Sequence, residues 1–385
     1  MEIRRLKASD YDELLYVLNT SFAAVRSRPV DFLRGQPKMW GRDDLHMGRH
    51  IGLFEDGHLA SVVGIYPLDL RVGDSTLHFA TTGNVATLPE YAGRGYFSKL
   101  FALAMKEAER EGYDALRLGG QKQRYGRFGF EDCGTLYSAE LSQKNRSAIS
   151  EDAYGDIVFE PLVEKSVADL RYIRMLTAAS PCYVERRESE GERDVLSVLR
   201  SKYSDAYIAK RGGRPIGYLC AAENGQSVTE LRAEQSADFL HLACAWQRQT
   251  EKTVTLPIAP WMHTELRALS SVAEILRAYA PSKFKFLHFD RVVDAFLKLK
   301  NSLSPLPEGT LCIEVGGYGF LRLSVDAQGA HCEKIEGTGA DLSLDAKTAA
   351  KLLFGPLPPV AFGSLPAHAL AWLPLPLSWN FLDVV

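Results

Sequence analysis

The stretch Pro89-Glu90-Tyr91-Ala92-Gly93-Arg94-Gly95-Tyr96-Phe97 joins two patterns of different period, and its reading decides the fold. Before it, Leu77 to Thr87 reads as a long strand. After it, apolar side chains recur at Phe97, Leu100, Phe101, Ala104, Met105 and Ala108, which is the spacing of one helix face, and Gly112 ends the element. A strand over Ala115 to Leu118 then returns to the sheet. A helix that starts directly after a glycine-rich turn offers unpaired N–H groups and the positive end of its dipole, which together suit a phosphate. Gly93 and Gly95 let the backbone approach a diphosphate closely, and Arg94 adds a cation that can reach it. The same connection occurs in many α/β proteins that hold no ligand, so the loop needs a second landmark.

Upstream, the chain opens with a short strand, Ile3 to Leu6, and a helix with Leu14, Leu15, Leu18 and Phe22 on one face. Ser9 with Asp12 has the form of a capping box for that helix. The runs Ile51 to Phe54 and Leu59 to Tyr66 flank Glu55-Asp56-Gly57-His58, in which Asp-Gly is the two-residue hairpin signal. A further strand over Leu68 to Val72 and a turn at Gly73-Asp74 lead into the long strand. This is a meander that ends at the glycine-rich loop.

The length of 385 residues and 46% hydrophobic content allow a large buried core divided among two or three domains. A net charge of -3 supplies no basic field for a phosphate backbone, which disfavours nucleic-acid binding. Residues Met1 to Asp10 lack the apolar core of a secretory signal, and the apolar segment Leu357 to Val385 carries Pro358, Pro359, Pro366, Pro374 and Pro376. A cytoplasmic protein with no membrane span is expected. Cys133, Cys182, Cys220, Cys244, Cys312 and Cys332 are scattered without metal-ligand or redox spacing, and the histidines are spread as well, so reduced thiols and no metal are expected.

The polar stretch Lys144 to Asp156 marks a domain boundary. Beyond it, Tyr207 to Lys210, a Gly212-Gly213 turn and Pro215 to Ala222 echo the first hairpin, with Gly217 where Gly64 stood. The strand ending near Leu231 runs into Arg232-Ala233-Glu234-Gln235-Ser236-Ala237, which has no glycine. The repeat thus keeps the scaffold and loses the loop. The runs Thr310 to Val315, Gly319 to Val325 and Ala340 to Leu344, followed by a helix over Ala346 to Phe354, form a small α+β unit. Arg186-Arg187-Glu188 reads as a mixed-charge surface run.

The second landmark is Tyr125-Gly126-Arg127-Phe128-Gly129-Phe130. With it, the sequence resembles the GNAT superfamily of N-acetyltransferases, whose phosphate loop is Q/R-x-x-G-x-G/A and whose later motif is Y-x-x-x-G-F. The later motif matches in full. In the loop Gly95 matches the central glycine, but Ala92 stands in the Gln/Arg position and Phe97 in the final small position.

The order of three units resembles the enhanced intracellular survival (Eis) type. The resemblance implies a catalytic GNAT domain over residues 1–148, a degenerate GNAT-like domain over 149–300 and a sterol-carrier-like domain over 301–385. The fold class is then α+β to α/β, with mixed, mostly antiparallel sheets flanked by helices. It further implies transfer of an acetyl group from acetyl-coenzyme A to an amine by direct attack, with both substrates held together. The acceptor is expected to be a small-molecule amine in preference to a protein or peptide amine, and a homo-oligomer is expected. Donor binding falls to Val85, Ala86 and Thr87 on the strand and to Ala92, Gly93, Arg94, Gly95, Tyr96, Phe97 and Ser98 on the loop and helix. Tyr125 becomes the general acid, and the resemblance assigns the base to a carboxylate on Val385; His78, Asp43 and Asp44 are further candidates. The alternative from another class is a non-catalytic protein that binds an acyl-coenzyme A or a lipid on the same scaffold.

Overall fold

The computed structural model describes residues 1–27, 29–162, 166–186, 194–337, 339–357 and 365–385. Three sheets organise the chain. In the first, the strands run in the order Glu2–Arg5, His50–Glu55, His58–Val72, Ser75–Thr87, Ala115–Leu118, Ser282–Phe286 and Glu131–Cys133, and Cys182–Val184 pairs with the far end of His58–Val72. Its neighbours are antiparallel except at Ser75–Thr87 and Ala115–Leu118, which pair in parallel. Asp56 and Gly57 both take positive φ, as a type I′ hairpin turn requires, so the Asp-Gly signal sets the register of the first hairpin.

Leu68 to Val72 is not a strand of its own. It continues Leu59 to Tyr66 through Pro67 as one strand, His58–Val72, with Pro67 opposite Ala80. The expected cap at Ser9 also lies elsewhere. Lys7 and Asp10 bracket a single 3-10 turn over Ala8–Asp10, and the helix itself runs Tyr11–Arg26.

The helix Tyr96–Arg110 buries Leu100, Phe101, Ala104, Met105 and Ala108. They pack on Ile51, Leu53, Ala60, Val63, Ile65 and Leu116 of the sheet. Complete burial of a Leu or Phe side chain stabilises by roughly 1.5–3 kcal/mol, so this face fixes where the helix begins and thereby where its free N–H groups point.

The chain passes between the first two sheets four times among the described residues, since Cys182–Val184 visits the first between Ile157–Pro161 and Asp205–Arg211 of the second. After Glu131–Cys133 it leaves the first sheet, and Leu136–Leu141 joins the second; after Ile275–Tyr279 it leaves the second, and Ser282–Phe286 returns to the first. The division expected at 148/149 therefore does not separate the strands of these sheets. The second sheet orders Ile275–Tyr279, Leu136–Leu141, Val254–Ile258, Ser227–Ala233, Arg214–Ala222, Asp205–Arg211 and Ile157–Pro161. The third sheet, Gly329–Ile335, Gly319–Asp326, Gly309–Gly316 and Leu342–Asp345, lies wholly beyond residue 300 and packs on the helix Phe289–Leu303.

The tail ties these units together. Arg186 is not on the surface: it is 2% exposed and donates from Nη2 to Glu230 at 2.9 Å and to Asp383 at 2.9 Å. Arg187 and Glu188 lie outside the described residues. Removing one member of a buried ion network leaves an uncompensated charge, at a cost of about 3–5 kcal/mol. Asp383→Ala is accordingly expected to lower the unfolding free energy from denaturant titration by that much; a loss of less than about 1 kcal/mol would show that the network does not anchor the tail.

Candidate active site

The strands Ser75–Thr87 and Ala115–Leu118 pair only from Phe79 opposite Ala115 to Thr82 opposite Leu118. Beyond that point they part, because the second strand ends at Gly119-Gly120 while the first runs on for five residues. A bulge falls in the extension. Asn84 takes φ +50, and the pairing with His58–Val72 slips between Val62 and Gly64.

A buried polar chain holds the bulge. Asn84 Nδ2 donates to Tyr66 Oη at 2.5 Å, and Tyr66 Oη donates to His50 Nε2 at 2.6 Å. His50 Nδ1 in turn reaches the Met47 carbonyl at 3.2 Å. Burial pushes the His50 imidazole down to about 4, so it is neutral and can accept from Tyr66. The unfolded chain takes up this proton near 6.5 and the folded chain only near 4, so stability contributed by His50 is complete above pH 6.5 and is lost as pH falls towards 4. The difference corresponds to about 3 kcal/mol. Urea midpoints measured from pH 7 to 4 should fall accordingly, and His50→Gln should flatten the slope; parallel slopes would show that His50 is not the group that titrates.

The splayed strand, the loop and the two flanking helices enclose a cleft of about 600 Å³. Val85, Ala86, Thr87, Ala92, Gly93, Gly95, Tyr96 and Phe97 line it. Gly93 and Gly95 have φ +80 and +77, and no described atom stands within 4 Å of a Cβ built on either. Glycine is thus required here by backbone conformation and not by crowding. Gly95 is the cap of the helix, so the first free N–H groups of Tyr96–Arg110 open onto the cleft.

Two of the expected donor residues are not in the wall. Arg94 turns to Glu55, with Nη1 to Oε1 at 3.1 Å, and stacks on Tyr91. Ser98 accepts from Arg127 Nη2 at 2.7 Å. Conversely, the wall contains residues the sequence reading missed, namely Ser21, Phe22, Ala24 and Val25 at the end of the first helix, and Arg124. Arg124 and Arg127 place their guanidinium carbons 5.0 and 5.6 Å from the centroid of Phe97, so the cleft has cations beside it even with Arg94 engaged. A signal for Arg124 existed, since it precedes Tyr125 in the second landmark.

These features together accommodate a diphosphate at the helix start. Residues 2–133 match the acetyltransferase (GNAT) domain. That match supports acetyl transfer as the general reaction class. No curated protein matches the chain. Among solved structures, a GCN5-related N-acetyltransferase from Anabaena variabilis superposes with a TM-score of 0.67 at 17% identity, covering 100% of both chains. Eis1 from Mycobacterium abscessus gives 0.64 at 17%, covering 99% of this chain and 98% of that one. A GCN5-related N-acetyltransferase from Kribbella flavida gives 0.61 at 18%, covering 91% and 88%. At these identities the likeness is one of fold, and the fold is the GNAT fold with mixed sheets flanked by helices.

Within the GNAT domain Tyr125 is 6% exposed and packs on Phe97 and Phe101, with centroids 5.9 and 5.3 Å away. Phe97 and Arg124, its neighbours, line the cleft, and Tyr125 is not among the lining residues. Burial raises its phenol above the ordinary value, and the adjacent Arg124 works in the opposite direction. Val385 lies against the splayed strand: a Cβ on Gly83 would come within 2.4 Å of Val385 Cγ1. The other candidate bases have structural partners. His78 pairs with Asp69 at 2.8 Å, Asp43 caps the turn Asp44–Met47, and Asp44 accepts from the Ala8 N–H.

Proposed function

We propose that the chain is an acetyl-coenzyme A-dependent N-acetyltransferase that acts in a ternary complex. The observation that carries this reading is the splay at Thr82. It brings the free edge of Val85–Thr87 and the N-terminus of the Tyr96–Arg110 helix onto one cleft. Main-chain N–H groups of Gly93 to Phe97 would hold the diphosphate, with Arg124 and Arg127 beside them. The pantetheine arm would lie along Val85 to Thr87, whose main-chain groups add the strand-like hydrogen bonds such an arm can make and polarise the thioester carbonyl. The donor supplies an acyl group on a sulfur leaving group.

The chain's own contribution is positioning and proton management. An amine attacks the thioester carbon; the C–N bond forms, the C–S bond breaks, and the thiolate takes a proton. Tyr125 is the proposed source of that proton, since a buried phenol remains protonated at neutral pH. The proton lost by the amine is assigned to a carboxylate on Val385. One glycine added after Val385 displaces such a group without removing side-chain packing, and turnover should fall at least about tenfold; unchanged turnover removes the assignment. The proposed acceptor is a small-molecule amine.

Thiol release from acetyl-coenzyme A, followed across primary amines of many classes, tests the reaction. Amine-dependent release is the expected result. Donor binding with no amine raising release above hydrolysis would overturn the proposal.

A further inference from the structure

Val385 is held from several sides. Its side chain lies on Gly83 of the splayed strand, where an added Cβ would come within 2.4 Å of Val385 Cγ1 and 2.9 Å of its Cβ. Gly83 is outside the positive-φ region, so glycine serves there to make room for Val385 and not to permit a backbone conformation. The Val385 main-chain oxygen accepts from Nη1 of Arg117, itself 4% exposed, at 3.4 Å. Just before Val385, Lys38 Nζ donates to the Val384 carbonyl at 3.1 Å and to the Leu382 carbonyl at 2.5 Å.

Lys38 is an unusual place for an ammonium. It is 2% exposed, in the turn Pro37–Met39 between the first helix and the first hairpin. A lysine side chain has three donors and no acceptor, so burying it is costly unless oxygens surround it. Here they come largely from other parts of the chain. Besides the two tail carbonyls and Gln36 Oε1 at 3.5 Å, Ser201 Oγ accepts at 3.1 Å from the turn that precedes Asp205–Arg211. Arg186 takes the Asp383 side chain and Asn380 Oδ1 accepts from the Leu382 N–H at 2.7 Å, but neither touches the main chain beyond Leu382. Lys38 does. One cation on two carbonyls, two residues apart, stops that stretch from turning about its own axis.

We infer that Lys38 is a positioning residue: by bridging the Leu382 and Val384 carbonyls it sets the direction in which Val385 leaves the tail, and so the place of the carboxylate assigned to it. The effect on turnover rests on the assignment of the base to Val385. The hold on the tail does not.

The test is a double-mutant cycle on the full chain between Lys38→Met and one glycine added after Val385. Lys38→Met alone should lower kcat about tenfold or more, with the dissociation constant for acetyl-coenzyme A within about threefold. In the chain that carries the added glycine, where the carboxylate is already displaced, the same substitution should cost less than about twofold more. Full kcat in Lys38→Met, or the same loss in both backgrounds, would overturn the inference and leave acetyl transfer standing. If the added glycine alone leaves turnover unchanged, the base assignment falls and hydrogen exchange decides about Lys38. Amides from Leu382 to Val385 should then exchange at least about tenfold faster in Lys38→Met, with those of the Tyr96–Arg110 helix unchanged. Unchanged exchange in the tail, or equal acceleration in both places, overturns the inference. Should Lys38→Met not fold, Lys38→Gln keeps a donor on a side chain one atom shorter. It should show the same coupled loss at about threefold or more, and wild-type kcat with wild-type tail exchange in this variant would refute the role.

Discussion

Tyr125→Phe should lower kcat by about 100- to 1000-fold while the dissociation constant for acetyl-coenzyme A stays within about threefold. The substitution keeps the ring, and with it the edge-to-face packing on Phe97 and the tilted contact with Phe101. It also keeps the seat at Gly120, where φ is +120 and any Cβ would meet the ring at 2.7 Å. Only the hydroxyl goes. A departing thiolate with a thiol-like basicity near 8.5 must then take its proton from water, and the cost falls on the chemical step. Because burial raises the phenol, wild-type kcat should not decline through Tyr125 ionisation anywhere in the neutral range. Equal losses in turnover and donor affinity would contradict the role and make Tyr125 a packing residue.

Gly95→Val is expected to act on the opposite quantity. A β-branched residue at φ +77 costs at least about 1–2 kcal/mol in backbone strain and puts methyl groups beside the N–H groups proposed to face the diphosphate. Donor affinity should weaken by about tenfold or more, with kcat at saturating donor within a few-fold of wild type. Gly57→Val supplies the control, since Gly57 has φ +85 in the first hairpin and is absent from the cleft. It should destabilise the fold to a similar degree and leave donor affinity alone. If both variants weaken donor binding equally, strain and not the cradle is responsible.

Local signals in the sequence carried much of this geometry. Asp56-Gly57 fixed a hairpin because only a few residue types accept two successive positive φ angles. The 3.6-residue spacing from Phe97 to Ala108 located the helix, and with it the cleft wall from Gly93 to Phe97. What could not be read is pairing between distant segments. Neither Leu136–Leu141 nor Ser282–Phe286 stands out as a strand in the sequence, and alternation would not say which sheet receives either one, although the sheets exchange them. The bulge at Asn84 is likewise silent in sequence, since it depends on His50 and Tyr66 arriving beneath it. Arg117 and Arg186 look alike as letters. Their burial is decided by the strands and tail around them, so one looked like part of a surface run and the other drew no attention. The loop reading also overvalued Arg94, which the first hairpin captures through Glu55, and undervalued Arg124.

The central claim concerns where the diphosphate sits. A crystal structure of the chain with coenzyme A tests it directly. The diphosphate should lie within hydrogen-bond distance of the main-chain N–H groups of Gly93 to Phe97, with the sulfur beside the Tyr125 hydroxyl. A diphosphate bound away from this loop, or a sulfur out of reach of that hydroxyl, would contradict the account.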